Sequence, residues 1–246
     1  MHIKRRYATE CVTHKHYTEG MKNEILTEKF KSFKSIRDLL TVFPAEKKCE
    51  KYLEQVRLGN KVVSPYDETA KVYKCSRNRY RCSKTKKNFN VRTRTMFENT
   101  KIELRTWFVA IYIVNSHKKG ISSLQLAKDL NVTQQTAWYV LHRIRKCFAT
   151  ENNDISKYYN HSVVKHCAKE FVNGSAYTNN IERFWGILKR GIIGIYHFTS
   201  KKHLQNYLDE FVFHFNTREF SETDRFERLL TNMTVRTRYR DLVTAI

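Results

Sequence analysis

Three stretches of the chain carry side chains spaced for chemistry. The first is Thr133-Gln134-Gln135-Thr136. A threonine at 133 can cap a helix, which puts both glutamine amides on its first turn, and a carboxamide there can bridge adenine N6 and N7. Arg143, Arg145 and Lys146 lie farther along the same helix, at positions suited to phosphates. The second is Glu182, Gly186 and Lys189, spaced i, i+4 and i+7, so that one acid and one base share a helical stripe. Ile181, Phe184, Trp185 and Leu188 cover the other sides of that helix. The same spacing is also that of a solvated polar face. The third runs from Lys71 to Phe97, with ten Lys or Arg and no acid. Its basic residues, Lys86 and Lys87 among them, interleave with Tyr73, Tyr80 and Phe89. On strands they form a surface that meets phosphates from several side chains at once, although a charge run also serves simply as a solvated face.

The elements that must position these groups are legible from periodicity. Phe30, Phe33, Ile36, Leu39, Leu40 and Phe43 recur at helical spacing up to Pro44. Cys49, Tyr52, Leu53 and Val56 continue as a second helix ending at Leu58-Gly59, so residues 28–60 are expected to form a helical hairpin. Residues 1–27 lack an apolar period and are expected to be an N-terminal extension, with Met21 just upstream of the periodic region. Residues 61–97 have the texture of short strands. Lys101 to Val114 reads as a buried helix. Ser122 or Ser123 can cap a helix carrying Leu124, Leu126, Ala127 and Leu130, and a turn at Asn131-Val132 leads to the Thr133-capped helix. That is helix-turn-helix spacing, and residues 98–148 are expected to form the DNA-binding region; an ordinary packed helical hairpin has the same pattern. A strand is expected at His161–His166, and a helix with Leu204, Tyr207, Leu208, Phe211, Val212 and Phe215 is expected to pack on the Glu182 helix.

Composition limits the partners. Forty-six Lys and Arg against 24 Asp and Glu leave a formal charge of +22, which points to polyanions without choosing between DNA and RNA. With 41% hydrophobic residues, 7 Gly and 2 Pro, the chain is too apolar for a disordered basic tail. The longest apolar run, Trp107 to Val114, is far short of the ~20 residues of a membrane span. No secretory signal is visible at MHIKRRYATE, and six sparse cysteines fit free thiols in a reduced compartment, so a cytoplasmic protein is expected. His161, His166, His197, His203 and His214 lack paired ligand spacing and are expected at the surface or facing DNA.

The string NNIERFWGILKRGIIGIYHFTSKKHLQNYLDEFVFHFNTRE resembles the C-terminal catalytic segment of DDE-type insertion-sequence transposases of the ISXO-like group. FKSFKSIRDLLTVFPAEKKCEKYLEQVR resembles that group's N-terminal helices, YKCSRNRYRCSKTKKNFNVRTRTMFENTKIELRTWF its ribbon and following helix, and GISSLQLAKDLNVTQQTAW its helix-turn-helix. The likeness runs in order over roughly residues 28 to 220. It implies a DNA partner bearing the terminal inverted repeats of an element, and an RNase H-like domain. In such a domain three carboxylates hold two Mg²⁺ ions for in-line phosphoryl displacement. By position, Glu182 resembles the third acid, Lys189 the basic residue that steadies the DNA phosphate, and Asn179 the polar residue before the Glu.

Two departures follow from the same comparison. Glu182 follows Phe148 by 182 − 148 = 34 residues, fewer than the ~45 that four strands, a helix and their loops require. Asp154 is the only Asp there, and it aligns with neither of the family's two aspartates. An internal deletion is therefore expected, leaving a truncated catalytic segment at 149–246, one carboxylate where two metals need three, and no strand cleavage by this chain unless Glu182 is complemented in trans. Apolar surface stripped of its sheet would favour a homo-oligomer or association with a full-length relative. In the ribbon, the tetrads that hold Zn²⁺ in many relatives read Ser64-Pro65-Tyr66-Asp67 and Cys82-Ser83-Lys84-Thr85, so no zinc is expected. The fold expected is α+β and mostly helical: N-terminal helices, a small degenerate zinc-ribbon-like β segment, a helix-turn-helix and the truncated RNase H-like segment.

Overall fold

The computed structural model describes residues 32–59, 62–76, 78–149, 172–173, 176–177 and 179–243. The expected extension at 1–27, the strand at His161–His166 and Asp154 lie outside them. The chain divides into two compact units, one of residues 28–150 with 200–246 and the other of 1–27 with 151–199.

The larger unit is mostly helical with a small antiparallel sheet. Its helices are α1 (Ile36–Val42), α2 (Glu46–Leu58), α3 (Leu104–Ser116), α4 (Ser123–Leu130), α5 (Gln134–Phe148), α7 (Leu204–Asn216), α8 (Glu222–Thr231) and α9 (Tyr239–Val243). Helix α1 starts later than periodicity implies, because the Ser35 hydroxyl accepts from the Asp38 amide and caps it there. Phe33 therefore reaches the core from the segment ahead of the helix and is 3% exposed. Gly59 ends α2 at φ 50°, ψ −138°, a conformation in which a side chain would be strained.

Helix α3 is the centre of the unit. Leu104, Trp107, Phe108, Ala110, Ile111, Tyr112, Ile113 and Val114 are all buried, because α1, α2, α4, α5 and α8 pack around it. Its N-terminus is capped from a distance: Glu46 of α2 accepts from the Leu104 and Arg105 amides at 2.9 and 3.1 Å. Arg92 holds the same carboxylate at 2.5 Å, so one side chain fastens α2, α3 and the loop at residue 92 together.

The buried face of α7 packs on α5. Arg145 of α5 and Glu210 of α7 pair at 2.7 Å with both side chains inaccessible, and the guanidinium lies 4.1 Å from the Tyr207 ring centroid. The His142 ring lies tilted between those of Trp138 and His203, with centroids at 4.3 and 4.4 Å. His203 is half-buried and His214 buried, not surface or DNA-facing, because α7 turns them inward; His197 is exposed as expected. Burial holds His142 down to about 3 and His214 down to about 4, so both enter the fold neutral. The unfolded chain takes up these protons near 6.5, so stability is present above that value and is lost as pH falls toward 4. The thermal midpoint should drop over that window, and His142→Phe, which keeps the ring contacts without the titration, should make the drop shallower. Equal acid sensitivity in both proteins would contradict this.

The sheet has strand order β1 (Val72–Cys75), β2 (Arg79–Cys82), β3 (Asn88–Phe89), antiparallel throughout. Alternation sends Tyr80, Cys82 and Phe89 inward and leaves Tyr73, Arg79 and Arg81 in solvent. Val62 and Val63 are not in a strand.

In the smaller unit, β4 (Val172–Asn173) and β5 (Ala176–Tyr177) form a hairpin, and α6 spans Asn179–Gly191. After Gly191 the chain continues as a π-helical segment, Ile192–Tyr196. Among the described residues no helix is long and apolar enough to cross a membrane.

Candidate nucleic-acid interface

The turn between α4 and α5 is built by three polar side chains. Ser122 accepts from the Gln125 amide and starts α4; Asn131, left-handed at φ 52°, ends it. Thr133 then accepts from the Thr136 amide and starts α5, as the sequence leads one to expect. Ala137, Val140, Leu141 and Ile144 bury one face of α5 against the core. Thr133, Gln134 and Gln135 are left exposed at its N-terminus and Thr136 half-buried, its hydroxyl 2.8 Å from that of Thr133. The Gln135 amide donates to the Tyr239 hydroxyl at 3.0 Å, a contact with no signal in the local sequence.

Two of the expected phosphate contacts need correction. Arg143 and Arg145 are 3% and 1% exposed and cannot reach a phosphate from this fold. Arg143 donates from Nε to Thr237 O, from Nη1 to Met96 O and from Nη2 to Glu98 O and Thr237 O, at 2.6 to 3.1 Å. Arg145 is taken by Glu210. The reason is that α5 is covered on a second side by α7 and by the segment around Thr237, which the periodicity of α5 alone does not reveal.

Lys86 and Lys87 are exposed in the β2–β3 turn, where Lys86 has φ 57°. Lys87 Nζ sits 5.6 Å from the Tyr66 ring centroid, leaving its charge at the surface. The turn is fixed by Lys86 N donating to Cys82 O and Cys82 N to Lys87 O, both at 3.0 Å. On the outer face of the ribbon, Tyr73 pairs with Arg81 and Arg81 with Asn88, all exposed. Strand alternation around Tyr80 and Cys82 was the signal for that row.

The two ribbon tetrads are joined by hydrogen bonds and an ion pair. Cys82 is buried, and hydrogen bonds from Ser64 first, then Thr85, hold its thiol down to about 7. Lys84 and Asp67 pair at 3.1 Å, and the hydrogen bond from Thr69 does most to hold the Asp67 carboxyl down to about 2. Cys75 is half-buried on β1.

In the smaller unit, α6 exposes Glu182 and Lys189 and buries Phe184 and Leu188, so the acid and the base do share a solvent-facing stripe. Asn179 begins this helix. Among the described residues no three His, Cys, Asp or Glu side chains gather in a way that could hold a metal ion. The residues described therefore do not make up the carboxylate set that a two-metal centre needs.

Residues 149–216 match the ISXO2-like transposase domain. The chain is also similar to an uncharacterized protein in transposable element ISH50 of Halobacterium salinarum, with 28% identity over 108 residues, 42% of this chain and 36% of that protein. The likeness thus spans well under half of either chain. No solved structure matches. The stretch that is similar to the ISXO2-like transposase domain thus begins directly after α5.

Proposed function

We propose that the chain binds the terminal inverted repeats of its element and does not by itself cut them. The observation that carries this reading is the exposed N-terminus of α5: a Thr133-capped helix held by a tight turn, presenting Gln134 and Gln135 beside a chain segment that matches a transposase domain. In a helix-turn-helix these residues enter the major groove, and the two carboxamides read base edges. Lys86 and Lys87 of the ribbon turn supply phosphate contacts that do not depend on sequence.

Cleavage is lost because the catalytic segment is short. The 34-residue step from Phe148 to Glu182 does not accommodate an RNase H-like sheet with its first two aspartates. Glu182, Lys189 and Asn179 are then vestiges of the site, with Glu182 able to ligate Mg²⁺ only beside carboxylates from another chain. Ile193 and Phe198, 68% and 81% exposed after α6, fit apolar surface that has lost its cover. Such surface favours self-association or docking on a full-length relative, in which case the protein acts as a regulator that occupies the repeats.

The test is substitution in the purified chain. Gln134→Ala with Gln135→Ala should reduce the preference for repeat-bearing over scrambled duplex by about tenfold or more. Lys86→Ala with Lys87→Ala should weaken binding to both duplexes alike and flatten the salt dependence by about two phosphate contacts. Equal loss on both duplexes from the glutamine changes would refute the recognition-helix assignment.

A further inference from the structure

The segment from Thr234 to Val243 lies across the start of α5 and is held there by unusual means. Arg143, buried in α5, has no carboxylate in its hydrogen-bond set; its donors go to main-chain carbonyls, and Nε and Nη2 both converge on Thr237 O. The Tyr139 hydroxyl donates to the same carbonyl at 3.2 Å. Burying a guanidinium is costly unless every donor is engaged, so this arrangement fixes the segment firmly. Thr237 is 1% exposed and Leu242 2% exposed, which anchors both ends. The His203 ring is hydrogen-bonded to the main chain at Leu242.

With Thr237 turned inward, Arg236, Arg238 and Arg240 all face solvent. Arg236 meets Glu98 at 2.5 Å, and Arg240 lies 3.8 Å from Asp241. Between them Tyr239 packs edge-on against Tyr139, with centroids 5.7 Å apart, and its hydroxyl accepts from Gln135. One segment thus brings exposed guanidinium groups to the end of α5 that carries Gln134 and Gln135, and orients one of those two amides.

We infer that this C-terminal segment is a second part of the duplex-DNA surface, with Arg238 and Arg240 contacting the phosphates that flank the groove entered by α5 and Tyr239 acting as a positioning residue for Gln135. This rests on the recognition-helix reading for α5. Tyr239 leaves Gln135 one amide hydrogen and its carbonyl oxygen, the pair a bidentate contact to adenine uses. Guanidinium groups suit phosphate oxygens because they offer parallel donors in a plane.

The experiment measures binding of the full chain to a random-sequence duplex and to a duplex from the DNA flanking its gene, across a salt series. Arg238→Ala with Arg240→Ala should weaken binding to both about tenfold and lower the slope of log K against log salt by about two. Lys47→Ala with Lys48→Ala, exposed on α2, removes equal charge and should leave that slope nearly unchanged. Tyr239→Phe keeps the ring but not the acceptor; it should leave the slope intact and reduce discrimination between the two duplexes. An unchanged slope in the arginine variant, or tighter binding, would overturn the assignment, tighter binding marking the segment as a cover over α5. So would a slope change no larger than that of the lysine control. Because the slope is read on random duplex, it is decided even if the wild-type chain shows no preference and the recognition-helix reading itself fails.

Discussion

Glu210→Gln should lower the unfolding free energy by about 3–5 kcal/mol, the range for breaking a buried ion pair from one side. Both members of the Arg145–Glu210 pair are inaccessible, at 1% and 0% side-chain exposure, and they join α5 to α7. The glutamine variant keeps the shape and one acceptor but leaves the guanidinium without its counter-charge. Arg145→Met, which strands the Glu210 carboxylate instead, should cost a similar amount on its own, and the double variant Arg145→Met with Glu210→Leu should recover a large part of the loss. Urea unfolding of the three proteins reads this directly. A loss below about 1 kcal/mol for Glu210→Gln, the size expected of a surface pair, would contradict a dry α5–α7 interface.

The second large effect is expected at Phe226. This residue of α8 is 0% exposed and meets Phe33, Phe43 and Phe108 with centroids at 5.2, 6.4 and 5.4 Å. It closes the core between the start of the unit and its last long helix. Phe226→Ala removes the ring that these partners surround, and large aromatic truncations in packed cores cost about 3–5 kcal/mol. Phe226→Leu should cost much less, because the remaining volume is partly filled. Thermal unfolding of both variants checks the difference; similar midpoints for the two would mean that the cluster is looser than these distances imply.

Local signals carried much of the fold. The caps at Ser122 and Thr133, the left-handed Asn131 and the terminal Gly59 are each decided within a few residues, so sequence spacing locates them well. Of the aromatics that interleave with the basic residues of 71–97, Tyr73 stays exposed while Tyr80 and Phe89 turn into the core. What was not legible depends on distant partners. Arg145 looks like a surface cation until Glu210, 65 positions later, is seen beside it. Arg143 looks the same until Met96, Glu98 and Thr237 present their carbonyls. Arg145 is covered by α7 and Arg143 by the segments at Met96–Glu98 and Thr237, and the amphipathic pattern of Leu204–Asn216 says which face is buried but not against what. On the candidate interface, the glutamines were readable from the cap, whereas Tyr239 was not, because it arrives from 104 positions away. Glu182 and Lys189 do lie exposed on one helix, but spacing alone gives no chemistry to that stripe.

Binding of DNA ends without cutting them is what we propose for this chain. It is tested most directly by incubating the purified chain with Mg²⁺ and duplexes from the DNA flanking its own gene, against scrambled duplexes, while following binding and strand breaks together. The account predicts preferred binding to the flanking ends and no nicking, with Glu182→Gln indistinguishable from the wild type. Mg²⁺-dependent nicking by the chain alone that is abolished in Glu182→Gln would contradict it and restore a complete catalytic site.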